Sequence, residues 1–398
     1  MTCAESGTFC PGGDGARWES DEERAMFRWS FHCTRCGASF APETLVWRCL
    51  RCQGVLVVDP PLLFDPGAIA ASTSTLWRYA RALPVDPPAR TLGEGMTPLV
   101  PGQLDGEPVW FKLDFLLPTG SFKDRGASVL VAFLVGAGVR RIAVDSSGNA
   151  AAAFAAYAAL HGLEALVYAP TDTAPEKLFQ SRAYGARVEL VPGTREAVAA
   201  AAQAAAQEPG TAYASHNWHP LFAEGTKTWL LEVWEQLGGL WPAACFVPAG
   251  GGSLVLGAAL AVQAAGVRGP VIVAAQPEAC APLVRAWERN AREVEPLVPA
   301  PTLAEGARIG APPRGTLLLE ILRQCGGWPE AVPEPQLVET VRLLWRQGLY
   351  VEPTAALGAA AYRLARRRGW VPDGPVVILL TGSGLKTGAA ARQAIEQV

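Results

Sequence analysis

The chain of 398 residues carries 34 Lys and Arg against 37 Asp and Glu, a formal net charge of −3, and half of its residues are hydrophobic. That balance excludes a disordered chain and a nucleic-acid-binding surface spread over the whole molecule, and the length suits two or three domains around a large buried core. No apolar run reaches the ~18 residues that a membrane-spanning helix needs, and residues 1–15 lack the basic start and apolar stretch of a secretory leader, so the protein is expected in the cytoplasm, with neither a nucleic acid nor a membrane as partner.

In chain order, residues 1–25 are polar, Gly-rich and acidic and read as a loose tail. Next come Cys33-Thr-Arg-Cys36 and, twelve residues on, Cys49-Leu-Arg-Cys52. Two thiolate pairs on tight turns offer the tetrahedral sulfur set that Zn²⁺ prefers, and with four protein ligands such a metal is structural. Trp29, Phe31, Phe40 and Trp47 flank the turns and can cover a small core, while Cys3, Cys10, Cys245, Cys280 and Cys325 share no such arrangement. Asp59-Pro60-Pro61 closes the module, and Pro84 to Ala89 is a second connector. From Leu92 onward, predicted strands at Val109–Leu113, Arg141–Val144, Ala165–Tyr168, Arg187–Val191, Ala244–Val247, Val271–Ala274 and Val376–Leu380 alternate with Ala-rich helical stretches such as 150–161, 195–207, 225–237 and 253–265. This alternation predicts an α/β fold, a mostly parallel sheet with helices on both faces, and places function in the loops leaving the C-terminal ends of the strands.

Lys123, in Pro118-Thr-Gly-Ser-Phe-Lys-Asp-Arg-Gly126, is the most informative position. The chain has five lysines (Lys112, Lys123, Lys177, Lys227 and Lys386), so nearly every cation is Arg, yet Lys stands here. A lysine amine can lose its proton and condense with an aldehyde; a guanidinium does neither. Gly250, Gly251 and Gly252, between a strand and the helix opening at Ser253, allow backbone N–H groups to cradle an anion at a positive helix end. No Lys-Ser/Thr follows them and the dinucleotide spacing is missing, so a small phosphorylated cofactor fits better than a nucleotide. Ser146, Ser147, Gly148 and Asn149 open the helix at Ala150, as caps or as a substrate-carboxylate site, with the Asn149 amide available to a ring hydroxyl. Thr381 ends the last strand, where its hydroxyl can meet an aromatic nitrogen without adding charge. Together these parts describe pyridoxal 5′-phosphate: an aldehyde for Lys123, a phosphate for the glycines, a ring hydroxyl for Asn149 and a ring nitrogen for Thr381.

These residues resemble the fold type II (β-family) pyridoxal-phosphate enzymes and, within them, threonine synthase. The resemblance runs from Leu92 to the C-terminus through Leu92-Gly-Glu-Gly-Met-Thr-Pro-Leu99, Pro118–Gly126, Ser146-Ser-Gly-Asn149, Glu224-Gly-Thr-Lys-Thr228, Gly306-Ala-Arg-Ile-Gly310 and Thr381-Gly-Ser-Gly-Leu-Lys386. Some threonine synthases also carry a four-cysteine ribbon. The resemblance implies two three-layer αβα domains, a large one from 61–124 and 223–398 and a small closing one from 125–222, behind a tail and ribbon at 1–60. It also implies a homodimer and a reaction on a small amino-acid substrate, in which Lys123 holds the cofactor and moves the Cα proton. Phe122 is compatible both with packing on the cofactor ring and with an ordinary core position. Ala150 stands where these synthases have Thr, the cup is all glycine, and His219-Pro220 replaces Asn-Pro. Each change removes a polar contact to a phosphorylated substrate, so the expectation is threonine synthase, with a threonine/serine dehydratase-like lyase or a β-replacement enzyme as the alternative. Taken singly, Arg308, Arg314, His216 and His219 are expected to be solvated cations or satisfied histidines.

Overall fold

The computed structural model describes residues 29–397; the expected loose tail, with Cys3 and Cys10, lies outside them. The N-terminal module is a three-stranded antiparallel sheet of β1 (Ser30–Cys33), β2 (Ser39–Phe40) and β3 (Leu56–Asp59), in the order β2-β1-β3. Then follow β4 (Leu99–Leu104), β5 (Glu107–Lys112), α1 (Lys123–Gly136), β6 (Arg141–Asp145), α2 (Asn149–His161), β7 (Glu164–Pro170), α3 (Pro175–Ala183), β8 (Arg187–Val191), α4 (Arg195–Ala205) and β9 (Thr211–Tyr213). The C-terminal half holds α5 (Pro220–Thr226), α6 (Thr228–Gln236), β10 (Ala244–Pro248), α7 (Ser253–Ala265), β11 (Val271–Pro277), α8 (Pro282–Glu288), α9 (Gly315–Gln324), β12 (Trp328–Val332), α10 (Glu334–Arg346), α11 (Pro353–Arg367), β13 (Val376–Leu379) and α12 (Ala389–Gln397).

Two sheets organise the body. A six-stranded sheet, β12-β11-β10-β13-β5-β4, is parallel except for β4, and a four-stranded sheet, β8-β7-β6-β9, is parallel throughout. The α/β fold expected from the alternating pattern is therefore the fold observed. Strands β10 and β13 are buried at every residue, because a central parallel strand covered by helices on both faces has no polar side to show. The strands missed by the sequence reading in the body, β4, β9 and β12, are all sheet edges. Edge strands tolerate the Pro and Gly of Leu99-Val-Pro-Gly-Gln-Leu104, the three-residue length of β9 and the Pro of β12, so they lack a long β-branched run.

The single helix expected over 225–237 is two, α5 and α6, meeting at Lys227. Thr226 and Thr228 there donate their hydroxyls to the carbonyls of Ala223 and Gly225, at 2.8 Å each, competing with the regular ladder. Helix α5 crosses α1 through glycines. A Cβ on Gly225 would stand 2.2 Å from the Arg125 carbonyl oxygen, and one on Gly126 would stand 2.6 Å from the Phe222 ring. Gly126, three residues after Lys123, and Gly225, two before Lys227, are thus packing requirements of this crossing.

The cysteine module is docked on the body. Trp29, Phe31, Leu56 and Val58 share one core with Phe133 of α1 and Phe154 of α2. Phe31 meets Phe133 and the His219 ring edge-on at 6.2 and 5.8 Å, and Trp47 packs on Tyr213 and Trp218 at 4.8 and 5.8 Å. Among the described residues, no helix is long and apolar enough to cross a membrane.

Candidate active site

The loops leaving β6, β10 and β13 at their C-terminal ends meet the start of α1 around one cavity of about 600 Å³. Its lining includes every residue expected from the sequence to bind cofactor or substrate: Phe122, Lys123, Ser146, Ser147, Gly148, Asn149, Gly250, Gly251, Gly252, Ser253 and Thr381. Backbone hydrogen bonds tie the lysine loop to the turn after β13, from Phe122 N–H to the Thr381 carbonyl and from Ser383 N–H to that of Gly120, both at 2.9 Å.

Behind Lys123 lies a buried ion network. Arg125 donates to Asp114 at 2.7 and 2.8 Å and to Glu232 at 2.5 and 2.8 Å, and Lys112 reaches Glu232 at 2.6 Å. Thr97 joins through its hydroxyl to Asp114 at 2.7 Å. Glu94 accepts from Ser128 at 2.6 Å and from the Trp77 indole at 2.9 Å. Asp124 accepts the backbone and hydroxyl of Thr119 at 2.7 and 2.5 Å. Much of the motif residues' chemistry therefore anchors the base of α1 and never meets the cavity. The charged partners satisfy one another, which is what makes so much buried charge tolerable.

Among the described residues, Lys123 and Lys386 are the two lysines without an ion pair; Lys112, Lys177 and Lys227 pair with Glu232, Glu305 and Glu224. Lys123 Nζ stands 4.3 Å from the centre of the Phe122 ring and 5.7 Å from that of Phe222. Phe122 is therefore a half-buried cavity wall beside the amine, packed against the large core. Burial, with the nearby charges of Arg314 and Arg195, pushes the Lys123 amine down to about 7, while Glu352 pulls the other way. A large neutral fraction near neutral pH is the state a nucleophilic amine or proton acceptor requires.

Asn149 is the first residue of α2 and Gly148 takes the cap position, so the capping role does not fall to the Asn149 side chain. Its amide donates instead to both Glu352 oxygens, at 3.0 and 3.2 Å. Glu352, which the sequence reading missed, lines the cavity just before α11, and burial raises its carboxyl pKa. Only the Pro after it marks a helix start; nothing else in sequence separates it from other carboxylates.

Each glycine of the cup lies close against a neighbour. A Cβ at Gly250 would meet Ala307 Cα at 3.0 Å, one at Gly251 would meet Asn217 Oδ1 at 2.2 Å, and one at Gly252 would meet Leu318 Cδ1 at 2.1 Å on a backbone with φ of 78°. The N–H groups of the three glycines make no hydrogen bond within the described protein and sit at the start of α7. This cradle suits a phosphate. With Lys123 and the Thr381 hydroxyl on the same cavity, the residues fit pyridoxal 5′-phosphate.

Arg195 and Arg308 are exposed on the rim, which also carries Lys177, paired with Glu305, while the Lys386 amine is buried in the wall without a hydrogen-bond partner. Arg314, His216 and His219 differ from the solvated or satisfied groups expected. All three are buried, and His216 Nδ1, His219 Nε2, Arg314 Nε and Arg314 Nη1 have no hydrogen-bond partner. Burial and neighbouring cations keep both imidazoles neutral, with His219 pushed down to about 3 and His216 well below its ordinary value.

Away from the cavity, the sulfurs of Cys33, Cys36, Cys49 and Cys52 all lie within 4.8 Å of one another, with Cys33–Cys52 and Cys36–Cys49 at 3.5 and 3.6 Å. Metal–sulfur bonds of about 2.3 Å in a tetrahedron put the sulfurs roughly 3.8 Å apart, so these four can hold a metal ion.

Comparison with known proteins agrees with this geometry. The family described as pyridoxal-phosphate dependent enzyme matches residues 90–382. The threonine synthase of Methanocaldococcus jannaschii is 30% identical over 92% of this chain and 95% of its own length. That of Methanosarcina acetivorans is 29% identical over 89% and 91%. Among solved structures, a threonine deaminase from T.th. superposes with a TM-score of 0.64 at 32% identity, over 73% of this chain and 92% of that one. A fungal L-serine ammonia-lyase from Rhizomucor miehei, at 21% identity and a TM-score of 0.67 over 76% and 98%, shares the fold. With a lysine of lowered proton affinity beside a glycine cradle and a family match over most of its length, the chain belongs to the pyridoxal-phosphate dependent enzymes of fold type II and catalyses a lyase reaction.

Proposed function

We propose that this enzyme is a threonine synthase, converting O-phosphohomoserine and water to threonine and phosphate. One observation carries the reading: the cavity joins a poised Lys123 to Arg195, Arg308 and Lys386, cations with no ion pair among the described residues and placed to receive an anionic substrate. Relatives named threonine synthase that match nearly end to end support it.

When bound, pyridoxal 5′-phosphate supplies an electron sink for charge developing at the substrate Cα. Gly250, Gly251, Gly252 and Ser253 would hold its phosphate, Asn149 its ring hydroxyl, Thr381 its ring nitrogen and Phe122 one flank. Ser146, Ser147, Gly148 and Asn149 would bind the substrate carboxylate at the start of α2. Lys123 would take the proton from Cα, and its neutral amine at physiological pH suits that task. Loss of a proton from Cβ and of phosphate from Cγ would leave a double bond; a proton returned to Cγ would make the methyl group, water would add its hydroxyl at Cβ, and a proton returned to Cα would complete threonine beside the released phosphate. A structural zinc ion in the Cys33, Cys36, Cys49, Cys52 set, a homodimer, and a small domain over 125–222 closing on a large one of 61–124 and 223–398 belong to the same proposal.

The second reading is a threonine/serine dehydratase-like lyase. It is favoured by the all-glycine cup, by Ala150 and by the 32% identity to a protein named threonine deaminase. Turnover of O-phosphohomoserine, threonine and serine side by side decides. Threonine with equimolar phosphate from the first supports the synthase; 2-oxobutanoate from threonine, with no phosphate from O-phosphohomoserine, selects the dehydratase. Loss of visible cofactor absorbance in Lys123→Ala tests the lysine independently of substrate.

A further inference from the structure

Arg314 is 1% exposed, yet no Asp or Glu pairs with it among the described residues. Its single hydrogen bond runs from Nη2 to the His219 carbonyl oxygen at 3.1 Å, leaving Nε and Nη1 without partners. A buried guanidinium with two idle donors is costly, and proteins retain such groups where an anion completes them. The other buried lysines and arginines, Arg78, Lys112, Arg125, Lys227 and Arg363, have their carboxylates.

The surroundings of Arg314 are the walls of the glycine cup. It precedes α9, whose Leu318, one turn on, closes over Gly252, where a Cβ would meet it at 2.1 Å. The carbonyl it holds belongs to segment 215–219, whose Asn217 closes over Gly251 at 2.2 Å from a Cβ position. His216 of that segment lines the cavity. The positive charge reaches the same space: in addition to burial, it lowers the proton affinity of Lys123, His216 and His219.

We propose that Arg314 is the buried counter-cation of the phosphate group held by Gly250, Gly251 and Gly252, an assignment that rests on the cofactor reading. The glycine N–H groups supply directed but weak partial charges, and Arg314 adds a full charge from behind the cup. His216 and His219, held neutral, leave it as the one charged group of this buried cluster.

Apoenzyme of the wild type, Arg314→Gln and Arg314→Lys is titrated with pyridoxal 5′-phosphate and with pyridoxal, which has the aldehyde but no phosphate. In Arg314→Gln the Kd for pyridoxal 5′-phosphate is expected to rise about tenfold or more, while that for pyridoxal stays within about twofold. Arg314→Lys, which keeps the charge without the planar fork, is expected to show a smaller loss confined to the phosphorylated ligand, and it serves if the Gln variant does not fold. Equal losses for both ligands would make the arginine merely structural and overturn the assignment. An unchanged affinity for pyridoxal 5′-phosphate with a raised KM for O-phosphohomoserine would also overturn it, by moving the arginine to the substrate. Wild-type protein that binds neither ligand overturns the cofactor reading itself, a result distinct from either.

Discussion

The Asn149 amide spans the cavity to Glu352, donating from Nδ2 to both carboxylate oxygens at 3.0 and 3.2 Å. The contact joins the start of α2, beside the four-stranded sheet, to the start of α11, beside the six-stranded one. Glu352 also acts on Lys123, whose proton affinity its carboxylate raises. Replacing it with Gln keeps an acceptor for Asn149 but removes that charge. The pH at which Lys123 becomes neutral is then expected to fall below about 7, read from the pH dependence of visible-band formation with added cofactor. Glu352→Ala also frees the Asn149 side chain, with an expected loss in kcat on the order of 10–100-fold. An unshifted pH profile in Glu352→Gln would separate the carboxylate from the lysine.

Lys123 makes apoenzyme stability depend on pH. Its amine sits near 7 in the fold against about 10.4 in an unfolded chain. Between those values the unfolded chain binds a proton that the folded protein has released, so this residue's contribution to stability rises with pH through the window. Below about 7 both states are protonated and the buried charge is a net cost. The melting-temperature difference between wild type and Lys123→Met is therefore expected to shift in favour of the wild type from about pH 7 to 10. A flat difference would mean an ordinary solvated amine.

Glu232 is the hub of the network under α1. Burial pushes its carboxyl up, yet Arg125 and Lys112 hold it down to about 2. Because its folded value is depressed, its contribution is present above the ordinary carboxylate value and is lost as the pH falls toward about 2. Glu232→Gln strips Lys112 of its carboxylate and leaves Arg125 with Asp114 alone, an expected loss of about 3–5 kcal/mol in urea unfolding at neutral pH. A double replacement of Arg125 and Glu232 by apolar residues of matching volume is expected to cost less than the two single changes summed.

The cysteine module packs on the body through Phe31 and Trp47, so a metal ion bound by its four cysteines is expected to stabilise the whole enzyme. Purified protein is expected to hold one zinc ion per chain, and chelation or Cys49→Ser to lower the melting temperature by several degrees. Metal analysis showing no zinc, with melting unaffected by the chelator, would leave four reduced thiols.

Residues whose role follows from side-chain chemistry or local backbone demand stood out in the sequence alone: the rare Lys123, the three successive glycines, Asn149 at a helix start and the spaced cysteines. The central strands were equally legible, since a strand buried on both faces is a continuous apolar run, whereas the edge strands β4, β9 and β12 carry no such pattern. Tertiary structure alone decided which charges act where. Glu352 and Glu232 are both glutamates of unremarkable context, yet one faces the cavity and the other balances a buried arginine. Arg125 and Arg314 are both fully buried, one saturated by carboxylates and one with idle donors. Burial and partner choice set what an ionisable group does, and both arise from contacts between segments brought together by the fold, such as Arg125 with Glu232 and Asn149 with Glu352.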